Sequence, residues 1–256
     1  MDYEVLVTVV MPTFNAAQSV ESSIQSVLSQ TYKDFELVVV DDCSSDNTVS
    51  LVTDLMQRNG NVRLMKIQSN SGSPAKPRNI GIESARGRYL AFLDADDCWV
   101  PEKLARQVRL MEGRKAAISC TGYEVLNVKG DLVGKFVPPD VVGYKNLLSE
   151  NTLGCSTVMI DTAEIAKPRF PTCGHEDYAL WLSLARGGWL IYSLPDVLAS
   201  YQLTPGSVSS NKWKVLKYFW NIYRNLEGCS SAKALYYCGR YAWNVRAKYT
   251  RTKRVS

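Results

Sequence analysis

Asp94-Ala95-Asp96, with Asp97 behind it, follows directly on the apolar run Tyr89–Leu93. Carboxylates at i and i+2 where a strand ends can point at one hard cation, which keeps phosphate oxygens and waters as its other ligands. That chemistry suits the departure of a nucleoside diphosphate, whose negative charge must be neutralised as it leaves. Aspartates also gather in turns as capping acids, but the apolar run before this tripeptide favours the cation. A second acid pair, Asp41-Asp42, closes the apolar run Leu37–Val40. A carboxylate there can accept hydrogen bonds from ribose hydroxyls or a base imide. The competing duty, capping a helix near Thr48, falls better to Asp46.

Two further stretches carry polar chemistry. Residues Asn70 to Asn79 form a small-residue-rich and then basic segment, expected as a loop, in which Arg78 can contact a nucleobase or a diphosphate. Lys76 reads equally well as a solvated loop residue. His175-Glu176-Asp177 stands where a helix begins. A carboxylate at a helix N-terminus stays ionised, and such a group can take a proton from an attacking hydroxyl, a service typically worth ~10²–10⁴ in rate. Spacing alone leaves a plain capping acid equally open. His175 is the sole histidine and receives no catalytic role.

The elements that must position these residues follow from periodicity. Val5–Met11, Leu37–Val40, Val62–Ile67 and Arg88–Leu93 are short apolar runs expected as buried strands. Between them, Val20, Ile24, Val27 and Leu28 recur at helical spacing, with Asn15 as a candidate cap, and Thr48–Asn59 is a second amphipathic helix. A third helix is expected from Pro101 to about Met111. Strands alternating with helices imply a mainly parallel, doubly wound α/β sheet, in which ligands bind beyond the carboxyl ends of the strands. Two of those ends carry the paired aspartates. After Ala116 the pattern changes to a hairpin, Ile118–Val128 with Leu132–Val137, then a strand at Thr157–Ile160, a helix at Asp177–Ala185 and a strand at Trp189–Tyr192.

With 256 residues, 46% of them hydrophobic, the chain suits one large α/β domain or a domain plus an appendage. Its net charge of +5 hides an asymmetry: residues 212–256 hold 11 of the 30 Lys and Arg but only Glu227 of the 25 acids, so the body is net −5 and the tail +10. A segregated basic tail implies an anionic partner, lipid headgroups or nucleic acid. The seven cysteines are scattered and never form a C-x-x-C pair, which argues against a disulfide framework or a zinc site and for a reducing compartment. No stretch approaches ~18 uninterrupted apolar residues, so no membrane crossing and no signal core are expected.

Taken in order, Val10-Met11-Pro12-Thr13-Phe14-Asn15, Val38-Val39-Val40-Asp41-Asp42-Cys43-Ser44-Ser45-Asp46, Arg78-Asn79-Ile80-Gly81, Gly87–Asp97 and Glu176-Asp177-Tyr178-Ala179-Leu180-Trp181-Leu182 make a pattern over about residues 5 to 210. It resembles glycosyltransferase family 2, with the nucleotide-diphospho-sugar transferase (GT-A) fold. The resemblance implies Pro12, Thr13, Asn15, Asp41 and Asp42 around the nucleoside, and Arg78 with Asp94-Ala95-Asp96 on the ribose and diphosphate. It implies Mn²⁺ or Mg²⁺ on Asp94 and Asp96, and Asp177 as catalytic base with Glu176 orienting it or the acceptor. By the same likeness an inverting enzyme would move glucose or galactose from a UDP-sugar to a GlcNAc- or GalNAc-diphospho-lipid. The expected linkage is β, most simply β-1,3, in bacterial O-antigen or capsule synthesis. Many family members place an Arg and a His in the loop where this chain has Gln202 and Thr204; a tail lysine such as Lys212 is the expected substitute on the diphosphate.

These readings divide the chain into a catalytic domain, 1–211, with a nucleotide-sugar half to residue 115 and an acceptor half from 116, and a basic helical tail, 212–256. In the tail Trp213, Leu216, Trp220 and Tyr223 recur at helical spacing among basic residues, as in helices lying on an anionic membrane surface. The competing expectation is a helix packed on the catalytic domain. With a lipid-linked acceptor, the protein is expected as a peripheral one on the cytoplasmic face of the cytoplasmic membrane. Two other functional classes compete with this expectation. A nucleotidyltransferase would want a glycine-rich basic signature near the N-terminus, which Pro12-Thr13-Phe14-Asn15 is not. A nucleic-acid-binding module would set the strand-end acids against a polyanion, so no nucleic-acid partner is expected.

Overall fold

Every residue of Phe35–Asp41 is buried, which is why this segment shows no alternation of polar and apolar side chains. It is β2 of a sheet that the computed structural model describes through residues 3–203 and 212–252; side chains at 212–214, 242 and 245–252 lie outside that description. In chain order the first elements are β1 (Val5–Thr13), α1 (Val20–Leu28), β2, α2 (Thr48–Arg58), β3 (Val62–Lys66), α3 (Ala75–Ser84), β4 (Gly87–Phe92), β5 (Cys98–Trp99) and α4 (Lys103–Arg114). They continue with β6 (Ile118–Leu126), β7 (Leu132–Phe136), β8 (Val141–Val142), α5 (Tyr144–Ser149), β9 (Met159–Asp161), α6 (Glu176–Arg186), β10 (Ile191–Gln202), α7 (Lys212–Asn221) and α8 (Ser231–Thr252).

The sheet runs β3-β2-β1-β4-β9-β6-β10-β5, with β7 on β6 and β8 on β10. β3, β2, β1 and β4 are mutually parallel, as the alternation of strands and helices implies. β9 enters antiparallel between β4 and β6, so one continuous sheet joins the two expected halves. Successive residues of the central strands face opposite cores. Val9, Met11, Tyr89 and Ala91 pack with α1, α2 and α4, whereas Val10, Leu90 and Phe92 pack with α5, α6 and the C-terminal helices.

Four expectations change. Residues 70–79, expected as a loop, divide: α3 starts at Ala75 and carries Lys76, Arg78 and Asn79. Its first turn tolerates Pro77 because the missing N–H there has no intrahelical partner, and burial of Pro77, Arg78, Asn79 and Gly81 erases the amphipathic period. Asn15 does not cap α1, which begins only after Ser19. It stands at φ 47°, and its Oδ1 accepts the Ser45 N–H at 2.8 Å. β10 runs past Pro195 to Gln202 because register shifts at Leu194/Val197 and Val197/Ala199 absorb the proline. The aromatic stripe of the tail is not a single exposed face. Phe219, Ile222 and Tyr223 are fully buried in the second core, and the Tyr223 hydroxyl lies 2.9 Å from that of Tyr178, while Trp220 stays partly exposed. The Trp213 side chain lies outside the described residues.

α4 opens on a lysine fully buried with its Nζ 3.9 Å over the Trp99 ring and 2.6 Å from Gln107 Oε1. Burial pulls the Lys103 pKa down to about 7. An unfolded lysine holds its proton to about pH 10.4, so between those values the unfolded chain binds more protons and stability rises with pH. Removing Lys103 (Lys103→Met) is expected to flatten that rise, by ~3 kcal/mol between pH 7 and pH 10, with the Trp99 face keeping the figure low. Thermal melts of both proteins across this window measure it; parallel curves would contradict it.

Candidate functional site

Because β1, β2 and β4 are parallel neighbours, their carboxyl ends open on one edge of the sheet. Thr13 and Asp41 are register partners there, and Thr13 Oγ1 donates to Asp41 Oδ1 at 3.3 Å. The buried Asp41 carboxylate also accepts the Ser44 N–H (3.0 Å) and hydroxyl (2.5 Å). Asp42 points elsewhere. Its carboxylate accepts the Ser71 N–H at 3.0 Å and the Ser71 hydroxyl at 2.7 Å, which pins the loop before α3. Pro12 is buried in β1, whereas Phe14, one residue past Thr13, is 51% exposed. Sequence patterns passed over Phe14 because a lone aromatic in a motif has no period; its exposure singles it out.

The acids at the end of β4 separate by environment. Asp94 and Asp96 are partly open. Ala95 is buried, and its carbonyl accepts the Ser23 hydroxyl at 2.9 Å. Asp97 is buried, and its carboxyl is pushed well up by that burial and then by Asp94 and Asp96. It accepts the Ser156 hydroxyl (2.5 Å) and the Gln202 backbone N–H (3.2 Å). Ser156 in turn accepts the Asp94 N–H at 3.2 Å, and its carbonyl is held by Trp99 Nε1 at 2.7 Å. This clasp fixes the loop that presents Asp94 and Asp96. The Gln202 side chain reaches Asn127 O at 2.5 Å, and Thr204 and the Lys212 side chain lie outside the described residues.

Arg78 joins the two acidic stretches. The residue is 4% exposed, with Nη2 2.5 Å from Asp94 Oδ1 and Nη1 3.4 Å from Glu176 Oε1. Burial works against its charge, but Asp94 first, then Cys155, Glu176 and Asp177, more than offset this and raise its pKa. Nε remains buried without a hydrogen-bond partner among the described residues. α3 can carry Arg78 this deep because Gly81 lies against β1: a Cβ there would sit 2.4 Å from Val10 Cγ1.

α6 supplies the other acids. Glu176 is buried, which raises its pKa against the pull of Arg78. Asp177, the next residue, is only partly buried in the first turn, where the helix dipole favours its charge. His175 precedes them at φ 51°; burial lowers its pKa against the pull of Asp177, and its ring centroid lies 5.2 Å from that of Phe219 of α7.

Among the described residues no group of three His, Cys, Asp or Glu gathers as a metal cage. Two half-open carboxylates, Asp94 and Asp96, nevertheless fit the way a magnesium-like ion is held, by one or two acids plus the phosphates of its substrate.

The family model described as Glycosyl transferase family 2 matches residues 8–147. TuaG of Bacillus subtilis (strain 168), a glycosyltransferase assigned to teichuronic acid biosynthesis, is 38% identical over 251 residues, 96% of this chain and 98% of TuaG. WfgD of Escherichia coli, a UDP-Glc:alpha-D-GlcNAc-diphosphoundecaprenol beta-1,3-glucosyltransferase, is 37% identical over 218 residues, 85% of each chain. Among solved structures, residues 1–349 of S. aureus TarS in complex with UDP-GlcNAc superpose with a TM-score of 0.69 at 24% identity. That alignment covers 86% of this chain and 66% of the TarS fragment, and it establishes likeness of fold.

Proposed function

Since this chain belongs to glycosyltransferase family 2, with the GT-A fold, we propose that it is an inverting hexosyltransferase that moves glucose or galactose from a UDP-sugar to a GlcNAc- or GalNAc-diphospho-lipid. The linkage proposed is β-1,3, as in the name of WfgD, and the setting bacterial O-antigen or capsule synthesis at the cytoplasmic face of the membrane. No helix among the described residues is long and apolar enough to cross a membrane; in the reading proposed, the lipid-linked acceptor is met at the membrane surface. Residues 1–115 are the proposed donor half, 116–211 the acceptor half.

What carries this reading is Arg78, whose one guanidinium contacts an acid from the end of β4 and an acid from the start of α6. In the reading proposed, Thr13 and Asp41 hold the nucleoside, and the exposed Phe14 ring offers the base a stacking face. Asp94 and Asp96 hold Mn²⁺ or Mg²⁺, which would neutralise the departing diphosphate. Asp177 takes the proton of the acceptor hydroxyl as that oxygen bonds to the anomeric carbon. The carbon–oxygen bond to the diphosphate breaks on the opposite face, UDP leaves with the electron pair, and an α-linked donor gives a β-linked product. Of the two α6 acids, Asp177 suits the base because it is partly open, while Glu176 is buried against Arg78 and positions it. Asp42 and Ala95 act through the backbone they hold, and Arg78 through the two acids it joins.

The test is a donor screen. With Mn²⁺, UDP-Glc or UDP-Gal and a GlcNAc- or GalNAc-diphospho-lipid analogue, free UDP is expected to appear, to stop with a chelator and to resume when Mn²⁺ is restored. Pyrophosphate released from UTP and a sugar phosphate, without UDP, would instead make this a nucleotidyltransferase.

A further inference from the structure

α8 is a helix with two apolar sides. One is occupied: Ala234 and Cys238 are buried, Tyr241 stacks on Phe219 with ring centroids 3.8 Å apart, and Asn244 Nδ2 donates to Ser149 O at 3.2 Å. On the other side Leu235 (68% exposed), Tyr236 (56%) and Trp243 (74%) line a shallow open trough of ≈ 760 Å³ with Gly239 and Arg240. Residues 235, 239 and 243 follow one another at i, i+4 and i+8, so the trough is one continuous stripe. Large apolar side chains left open on a helix already anchored by its other side need a partner.

The charge on the same helix selects that partner. Ser231–Thr252 contains Lys233, Arg240, Arg246, Lys248 and Arg251 and no acidic residue. A second copy of the chain would bring these cations against their own kind. A surface of anionic lipid headgroups accepts both features, with aromatic rings at headgroup depth and cations on the phosphates. We propose that the outer face of α8, built by Leu235, Tyr236, Arg240 and Trp243, is the surface by which this protein lies on an anionic membrane, while α7 belongs to the protein core. The arrangement also explains why the surface is here. Tyr241 stacks on Phe219, Phe219 packs on His175, and His175 adjoins Glu176 and Asp177. A helix docked on lipid therefore stands two ring contacts from the acid proposed as base, where an acceptor carried in that lipid must present its hydroxyl. This rests on the lipid-linked acceptor of the preceding reading.

The experiment uses the full chain. Flotation with phosphatidylcholine vesicles containing or lacking about one third phosphatidylglycerol is compared for wild type, for Leu235→Ser/Tyr236→Ser/Trp243→Ser and for Lys233→Glu/Arg240→Glu. Wild type is expected to float only with the anionic vesicles, and each variant to bind them at least about tenfold more weakly. UDP release with a water-soluble acceptor analogue is expected unchanged in both variants, and release with a vesicle-borne acceptor lost. Unchanged flotation of the folded variants overturns the surface. So does a wild-type dimer that both variants turn into monomer, because the face would then be a contact between copies. Absence of UDP release with any acceptor, while flotation behaves as expected, would instead sink the hexosyltransferase reading and leave this surface standing.

Discussion

Asp177→Asn lowers the turnover of hexosyl transfer by about 10²–10⁴, the usual worth of a general base, and leaves UDP affinity within a few-fold. The amide keeps the size of the side chain but cannot take the acceptor proton. Little else should change, because Asp177 is partly open and the direct ion pair to Arg78 comes from its neighbour Glu176, Asp177 being the last of the acids acting on that charge. Loss of the charge from the first turn of α6 costs about 0.3–1 kcal/mol, a shift of a few degrees at most in the melting temperature. Turnover and UDP binding measured on the same preparation decide the matter. Transfer at the wild-type rate would remove Asp177 from the chemistry. Joint loss of transfer and UDP binding would mean that the residue holds the donor or the fold instead. A Glu176→Gln protein separates the two acids: its transfer should fall through displacement of Arg78, with a change in donor affinity that Asp177→Asn does not show.

Arg78→Met destabilises the protein by about 3 kcal/mol and ends transfer. Removing one member of a buried ion pair leaves its partner charged and unpaired, at a typical cost of 3–5 kcal/mol. The lower end applies because the Asp94 side chain remains 29% exposed and can be rehydrated, whereas Glu176 at 8% cannot. At this chain length that is a fall of ~6–12 °C in melting temperature. The reciprocal change gives the sharper result. Arg78→Met/Glu176→Gln no longer buries an unpaired carboxylate, so it should regain part of the lost stability while transfer stays absent. If Arg78→Met melts with the wild type, or if the double variant is no more stable than the single, the guanidinium is not the link between the two acidic stretches.

Much of the candidate site was legible along the chain. Asp41 and Asp94–Asp97 follow apolar runs that fold as β2 and β4, and the parallel arrangement of β1, β2 and β4 brings the ends of those strands to one edge. The type of each residue and its place at a strand end are local facts, and strand burial is written in unbroken apolar runs. Family membership was legible for the same reason, since all the ordered motifs but the one at Glu176–Leu182 lie within the matched span.

What the chain order could not disclose is which of these acids are open and which are engaged. Asp41 and Asp42 are adjacent, yet one faces Thr13 and Ser44 and the other the loop at Ser71. Asp94, Asp96 and Asp97 look alike in sequence, and only the closing of the Ser156 segment over the loop buries the third. Arg78 read as a loop cation because the helix that carries it is buried on several sides and so has no period. The two aromatic helices at the C-terminus divide in the same way: Phe219 and Tyr223 of the first stretch are core, and Trp243 of the second stands open. The four parallel strands, the acids that end two of them and the family are readable along the chain, because each is set by neighbours a few residues away. Tertiary structure alone decided which carboxylates meet Arg78 and which tail aromatics are covered, because those partners come from strands and helices far apart in the chain, and burial depends on what packs above a residue rather than on what precedes it.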